Sequence, residues 1–389
     1  MMRRNFLQIA LIAWLTGMCA APAEEVTIPD PGLNAVVRET LQKPVGPLTK
    51  QDMLQLTFLN ADGRNISSVD GLETASNLSM LDLDNNSLTN FPIADALTNL
   101  TILGLFNNHL GSFTLSNAAP KLTLLDIGFN SLEQCSLPDG LTNLNFLLLE
   151  GNRLNDFTLP TGLTALTKLD LAANALGRFA IPSDATNLVN VLLFANQLTN
   201  LNLPPNLSHL TGLLLDFNRF SSIALPTGLT NLSRLTLNGN QLTNLAFPAD
   251  MASLTFLDVR ANQLTILTLT PGLKTLSALF VENNPLVVLD LPQPLAATNL
   301  NELVTSLRNG QVAVFTYPLE VQLTRITGLV GVYQFAVAGP PGVYTILASP
   351  DLANWNELGV ATNQFGEIGF TDETAPLSPL KFYRAQALP

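Results

Sequence analysis

Acid–base, nucleophilic and metal chemistry draw on histidine, cysteine and convergent carboxylates. This chain of 389 residues has two histidines, His109 and His209, and two cysteines, Cys19 and Cys135. No nucleophile–base pair can be assembled from them. The run Asp82-Leu-Asp84-Asn-Asn86 faintly resembles a calcium loop, but the full twelve-residue ligand pattern is missing. No G-x-x-x-x-G-K-[ST] phosphate loop occurs. The sequence therefore assigns no catalytic, cofactor-binding or metal-ligating residue, and an enzyme is not expected.

Charge narrows the partners. Lys and Arg number 18 against 30 Asp and Glu, a formal charge of −12. Nucleic acids and anionic membranes select basic patches, so neither is an expected ligand. Charged residues are 12% of the chain, about half the usual ~25%, while 47% is hydrophobic, which excludes a disordered chain. The N-terminus carries Arg3 and Arg4, an apolar run from Phe6 to Met18, and Ala21-Pro22-Ala23. This pattern predicts a secretory signal over 1–23, cleaved after Ala23. A lipoprotein reading would use Cys19, but Met18 stands where a small residue is wanted. Removing Arg3 and Arg4 takes the charge from −12 to −14 and leaves Cys135 alone, so no internal disulfide can form. No later apolar run is long enough for a transmembrane span.

The elements that must position any site are repeats. Asn86, Asn108, Asn130, Asn152, Asn174, Asn196, Asn218, Asn240, Asn262 and Asn284 recur every 22 residues without a gap. Around each stands L-x-x-L-x-L-x-x-N-x-L, as in Leu78, Leu81, Leu83, Asn86 and Leu88; Phe220 takes the last leucine position in one unit. An imperfect unit precedes them at Leu56, Leu59, Ala61 and Ile66, with Arg64 in the Asn position. Leu-x-Leu alternates with period two, so each unit predicts a short strand with both leucines inward. A single unit cannot bury that face, so neighbours must stack in parallel. The Asn amide both donates and accepts, which suits it to satisfy buried loop backbone. A second inward column runs through Phe91, Phe113, Cys135, Phe157 and Phe179, and a third, two residues on, through Ile93, Leu115, Leu137 and Leu159. A proline usually follows, as at Pro138 and Pro160, so a second short strand or extended segment is expected on the convex side.

The pattern resembles the leucine-rich repeat family, and the resemblance covers residues 54–297. Residues 26–50, with Asp30 as N-cap and Leu33, Val36, Val37 and Leu41 as an apolar stripe, resemble the helical cap of secreted bacterial internalin-like repeats. The stretch from Tyr344 to Gln386, with its S-x-D-L-x-x-W core, resembles a β-module found on many secreted bacterial proteins. The expected fold is thus an α/β leucine-rich repeat solenoid, β-rich with a parallel strand ladder and short helical caps, plus a small all-β C-terminal sandwich. The expected segments are signal 1–23, cap 24–53, about 11 repeats over 54–297, a cap helix and connecting strand over 298–318, and the sandwich over 319–389. Asn299 is the expected N-cap of that second helix and Gly310 its C-terminal glycine. Sandwich core candidates are Phe335, Tyr344, Ile346, Leu352, Trp355, Phe370, Phe382 and Tyr383.

Outward positions between and after the strand leucines are the candidate partner-binding residues. They are Asp82, Asp84, Phe106, Asp126, Phe146, Leu148, Glu150, Asp170, Leu192, Phe194, Leu214, Asp216, Asp258, Arg260, Phe280 and Glu282. Exposed apolar residues beside carboxylates mark partner surfaces. Eleven strands at ~4.8 Å make a ladder ~50 Å long, enough for a standard interface. The expected function is a secreted or cell-surface, non-catalytic, monomeric recognition protein with no cofactor, holding a protein or peptide on its concave face. The alternative is a glycan-binding or extracellular matrix component acting through the C-terminal module.

Overall fold

The computed structural model describes residues 24–92, 96–115, 119–329, 332–373 and 381–388. The signal segment 1–23 and the column residue Ile93 lie outside them. Eleven three-residue strands, from Phe58–Asn60 to Ala278–Phe280, form one parallel sheet. Register follows the gapless period: Leu81 pairs with Leu103, and Leu169 with Val191. The central residue of each strand is buried, Leu59, Leu81 and Leu125 being fully so.

Three ladders of side chains tie each turn to the one before. Asn196 is representative. Its Oδ1 accepts from Leu176 N at 3.0 Å, while its Nδ2 donates to Leu171 O at 2.9 Å and Leu193 O at 3.2 Å. The other repeat asparagines repeat this geometry, as at Asn86 and Asn284. Hydroxyls make a second ladder: Thr101 Oγ1 donates to Ser79 O and Thr123 Oγ1 to Thr101 O, both at 2.8 Å. A third runs through Asn77, Asn99, Asn143, Asn187 and Asn231, whose amides donate to carbonyls 23 residues back.

On the convex side both expected forms occur, short strands in some turns and non-strand segments such as 156–158 in others. Among the described residues the strands occur in groups: Ser112–Thr114 with Gln134–Ser136, Arg178–Ala180 with Asn200–Asn202, and Ile266–Thr268 with Val288–Pro292 and Ala313–Tyr317. The inner ladder is unbroken, while on the convex side neighbouring turns pair only in places. A cleft of about 700 Å³ opens where pairing stops, lined by Gln134, Cys135, Asp156 and Phe157 among others. The inward column holds regardless, with Phe91 stacked on Phe113 and Phe157 on Phe179. Cys135 sits half-buried in that column, and burial pushes its thiol up to about 12.

Helices close the ends. Pro31–Thr40 starts at Asp30, whose side chain accepts from Leu33 N, and buries Leu33, Val36 and Val37. At the far end Gln293–Ala297 precedes Asn301–Asn309, which buries Val304. Asn299 is not the N-cap: Leu300 is, without a side-chain bond, and Asn299 instead donates to Leu276 O at 3.1 Å as the last member of the third ladder. Gly310 ends the helix at φ −82°, and the left-handed turn falls on Gln311 at φ 65°. The strand Ala313–Tyr317 does not lead away; it pairs in parallel with Val288–Pro292 and extends the convex sheet.

Beyond it come two antiparallel three-stranded sheets. One joins Gln322–Leu329, Val332–Ala338 and Glu367–Asp372; the other joins Asn356–Asn363, Gly342–Ser349 and Phe382–Ala387. Phe335, Tyr344 and Ile346 are core, with Phe370 and Tyr383 packed on them. Leu352 is not core; it is 58% exposed at φ 61°. Trp355 and Phe382 are half-buried and stand outside this core cluster. The Arg384 guanidinium lies 4.5 Å over the Trp355 ring, and the indole N–H donates to Leu352 O.

Candidate functional site

The strand residues flanking each buried leucine, together with the residue two further on, form three columns on the uncovered face of the inner sheet. All sixteen candidates lie there, with unequal exposure. Phe146 is 40% exposed and Glu282 is exposed. Asp82, Asp84, Phe106, Asp126, Leu148, Glu150, Leu192, Phe194, Leu214, Asp216, Arg260 and Phe280 are half-buried against their neighbours in adjacent turns. Asp170 and Asp258 are not open positions: they are 6% and 4% exposed. Asp258 lies under Arg260, whose Nε and Nη2 both reach its carboxylate, and Lys168 Nζ stands 3.6 Å from Asp170.

Glycines shape the acidic half of this face. At Gly104 an added Cβ would lie 2.8 Å from Asp84 Oδ1 and 3.5 Å from Asp82 Oδ1; at Gly128 it would meet the Glu150 carboxylate at 3.0 Å. The missing side chains leave hollows into which the carboxylates lean. Each aspartate spends an oxygen on backbone: Asp82 accepts from Asp84 N, Asp84 from Phe106 N, and Asp126 from Gly128 N. Glu150 Oε2 is buried without a partner. Partial burial pushes Asp84 up to about 6, with the Asp82, Asp126 and Asp62 charges adding to the rise. Burial likewise raises Asp126, Glu150, Asp170 and Asp216.

Solved structures share this fold. A functional domain of InlJ from Listeria monocytogenes aligns with TM-score 0.52 at 21% identity, over 77% of this chain and 73% of that one. The leucine-rich effector protein YopM from Yersinia pestis aligns with TM-score 0.52 at 25% identity, over 66% and 71%. The fold is a leucine-rich repeat solenoid. The leucine-rich repeat domain of APL1B aligns similarly, with TM-score 0.51 at 26% identity over 60% and 70%. No family model matches the chain, and no curated protein matches it.

Within this leucine-rich repeat solenoid, two phenylalanines outside the sixteen candidates also face the concave rim. Phe129 and Phe217 are 54% and 59% exposed at the rim of the concave face, immediately before the repeat Asn. Their backbones are left-handed, φ 51° and 54°, a conformation costly for a bulky residue. Elsewhere that position holds Asn, Gly or Ala. Each ring lies over the glycine of the next turn: an added Cβ at Gly151 would meet the Phe129 ring at 3.1 Å, and one at Gly239 the Phe217 ring at 2.7 Å. Phe129 also packs on Phe106, ring centroids 5.2 Å apart. The pairing of a phenylalanine at this position with glycine 22 residues on is the signal that could have found them. Phe58, 46% exposed on the first strand, was also missed, because its unit departs from the consensus. Among the described residues no helix is long and apolar enough to cross a membrane.

Proposed function

We propose that the protein is a secreted or cell-surface, monomeric, non-catalytic recognition protein that holds a protein or peptide partner on its concave face. Its parts on this reading are the signal 1–23, the caps 24–53 and 298–318, the repeats 54–297 and the module 319–389. The supporting observation is an eleven-stranded sheet with one face uncovered, which carries both phenylalanines and carboxylates. Exposed rings on a continuous rigid surface are the usual anchors of protein recognition. Leu148, Leu192, Phe194 and Leu214 supply a half-buried apolar middle, with charges toward both ends.

The test is affinity capture by the mature chain from its native surroundings, run beside Phe194→Asp and Phe146→Asp. Wild type is expected to retain a protein that both variants lose, while Tm stays within a few degrees. Capture that survives both substitutions overturns the reading. So does a collapse of Tm in both, which would make these side chains part of the core.

A further inference from the structure

The two ends of the concave face differ in how their carboxylates are balanced. Toward the C-terminal end, the face supplies its own guanidinium groups. Arg234 lies 3.8 Å over the Phe256 ring, and Arg260 lies 5.1 Å over Phe280 while gripping Asp258. Carboxylate, ring and guanidinium are satisfied together there. Toward the N-terminal end, the carboxylates and rings recur without the guanidinium. From Phe58 through Glu150 the three outward columns hold Asp62, Asp82, Asp84, Asp126 and Glu150, and no Lys or Arg. These charges are close enough to raise one another's proton affinity, and Lys168 is the nearest cation on the face. Phe58 and Phe146 stand exposed among them, and Phe129 at their rim.

We propose that the N-terminal half of the concave face binds an arginine-bearing polypeptide segment. Its guanidinium groups would take the places that Arg234 and Arg260 fill at the other end. This deepens the protein-recognition reading and rests on it. Guanidinium suits the site better than ammonium because it bonds a carboxylate through a planar fork and stacks on a ring at once. Asp82, Asp84, Asp126 and Glu150 are half-buried with no cation in their own turns of these columns, which is unfavourable in the free protein, so a partner that neutralises them gains from relieved repulsion as well as new bonds. A polypeptide is favoured over a small polycation because Met80, Ile102 and Leu124 lie in the same columns and offer apolar contact between the charges.

The experiment titrates the full mature chain with three synthetic peptides, alternating arginine, lysine or glutamate with leucine, by calorimetry at two salt concentrations. The arginine peptide is expected to bind most tightly, about tenfold above lysine, and to weaken with salt. The triple variant Asp82→Asn, Asp84→Asn, Glu150→Gln should lose that binding with its Tm unreduced. A convex-face control, Asp139→Asn with Asp156→Asn, should keep it. Equal binding of arginine and lysine peptides, retention by the triple variant, or loss in the control each overturns the proposal. If arginine binding fails while capture of a natural partner still depends on Phe194, this inference falls and the recognition reading stands.

Discussion

Asp84 and Asp290 are carboxylates that the fold holds where ionisation is costly. Asp84 leans into the hollow above Gly104 and is pushed up to about 6. Asp290 is wholly buried, neither oxygen has a hydrogen-bond partner of good geometry, and burial pushes it up to about 7. The ordinary value is 3.8 for both. A carboxyl whose folded value is raised holds its proton more tightly in the native state, so its stabilising contribution is full below about pH 4. That contribution is lost as pH rises through about 6 for Asp84 and about 7 for Asp290. Asp52, lowered to about 2 chiefly by Lys43, acts oppositely and only in more acid solution. Thermal melts are therefore expected to show Tm falling between about pH 4.5 and pH 7.5. Asp84→Asn with Asp290→Asn should flatten that slope and raise Tm at pH 7.5, because an amide keeps the Phe106 N–H acceptor without the charge. A slope unchanged by the double substitution would refute the assignment. That these aspartates lie on or between strands was readable from the period. Their burial was not, because it depends on which neighbours 22 residues away are glycine.

The repeat turn is the next scale up. Its leucines and asparagines were legible because each position must satisfy the same neighbour ten times over, which leaves a period in the sequence. The convex side was legible only as a column of inward residues. Whether a convex segment pairs as a strand was not legible, for Gln134–Ser136 and 156–158 share the same apolar pattern while only the first is a strand. The concave turn carries the stability instead. Removing the Asn196 side chain leaves Leu176 N and the carbonyls of Leu171 and Leu193 buried without that partner. At ~1–3 kcal/mol for each group left unsatisfied, Asn196→Ala is expected to cost several kcal/mol. Urea melts should show the loss as a lower midpoint, and hydrogen exchange should localise it to the turns on either side. Exposed Gln197→Ala, one residue on, should move the midpoint little. Equal midpoints for the two variants would mean that the asparagine spine contributes nothing.

A stack of turns exposes its apolar core at both ends, so the whole molecule needs two seals. The N-terminal seal is the helix Pro31–Thr40, with Asp30 also bonded to Ser67 of the first turns. The C-terminal seal continues past the last helix. Ala313–Tyr317 adds a strand to the final convex sheet, Tyr317 is wholly buried, and its hydroxyl donates back to Leu269 O. The module then closes over this strand. Phe365 stacks on Phe315 with centroids 5.0 Å apart, and Gly366 sits so close to Thr316 O and Tyr317 that an added Cβ would lie 2.9 Å from the carbonyl. The solenoid and the module thus share a packed seam with Asp290 nearby, and the charge of Asp290 is felt at the Tyr317 hydroxyl. The sequence predicts only a connecting strand here, since nothing local distinguishes one from a strand that pairs with the last turn. Two changes probe the seam. Gly366→Val, which forces side-chain atoms against the Thr316 carbonyl, should lower Tm of the full chain and increase binding of a hydrophobic dye. Ending the chain after Pro318 should do both more strongly, because Phe315 and Tyr317 lose their cover. If the shortened chain melts at the wild-type temperature without binding dye, the module is a passenger joined by a tether. In that case the solenoid is sealed by its own last strand.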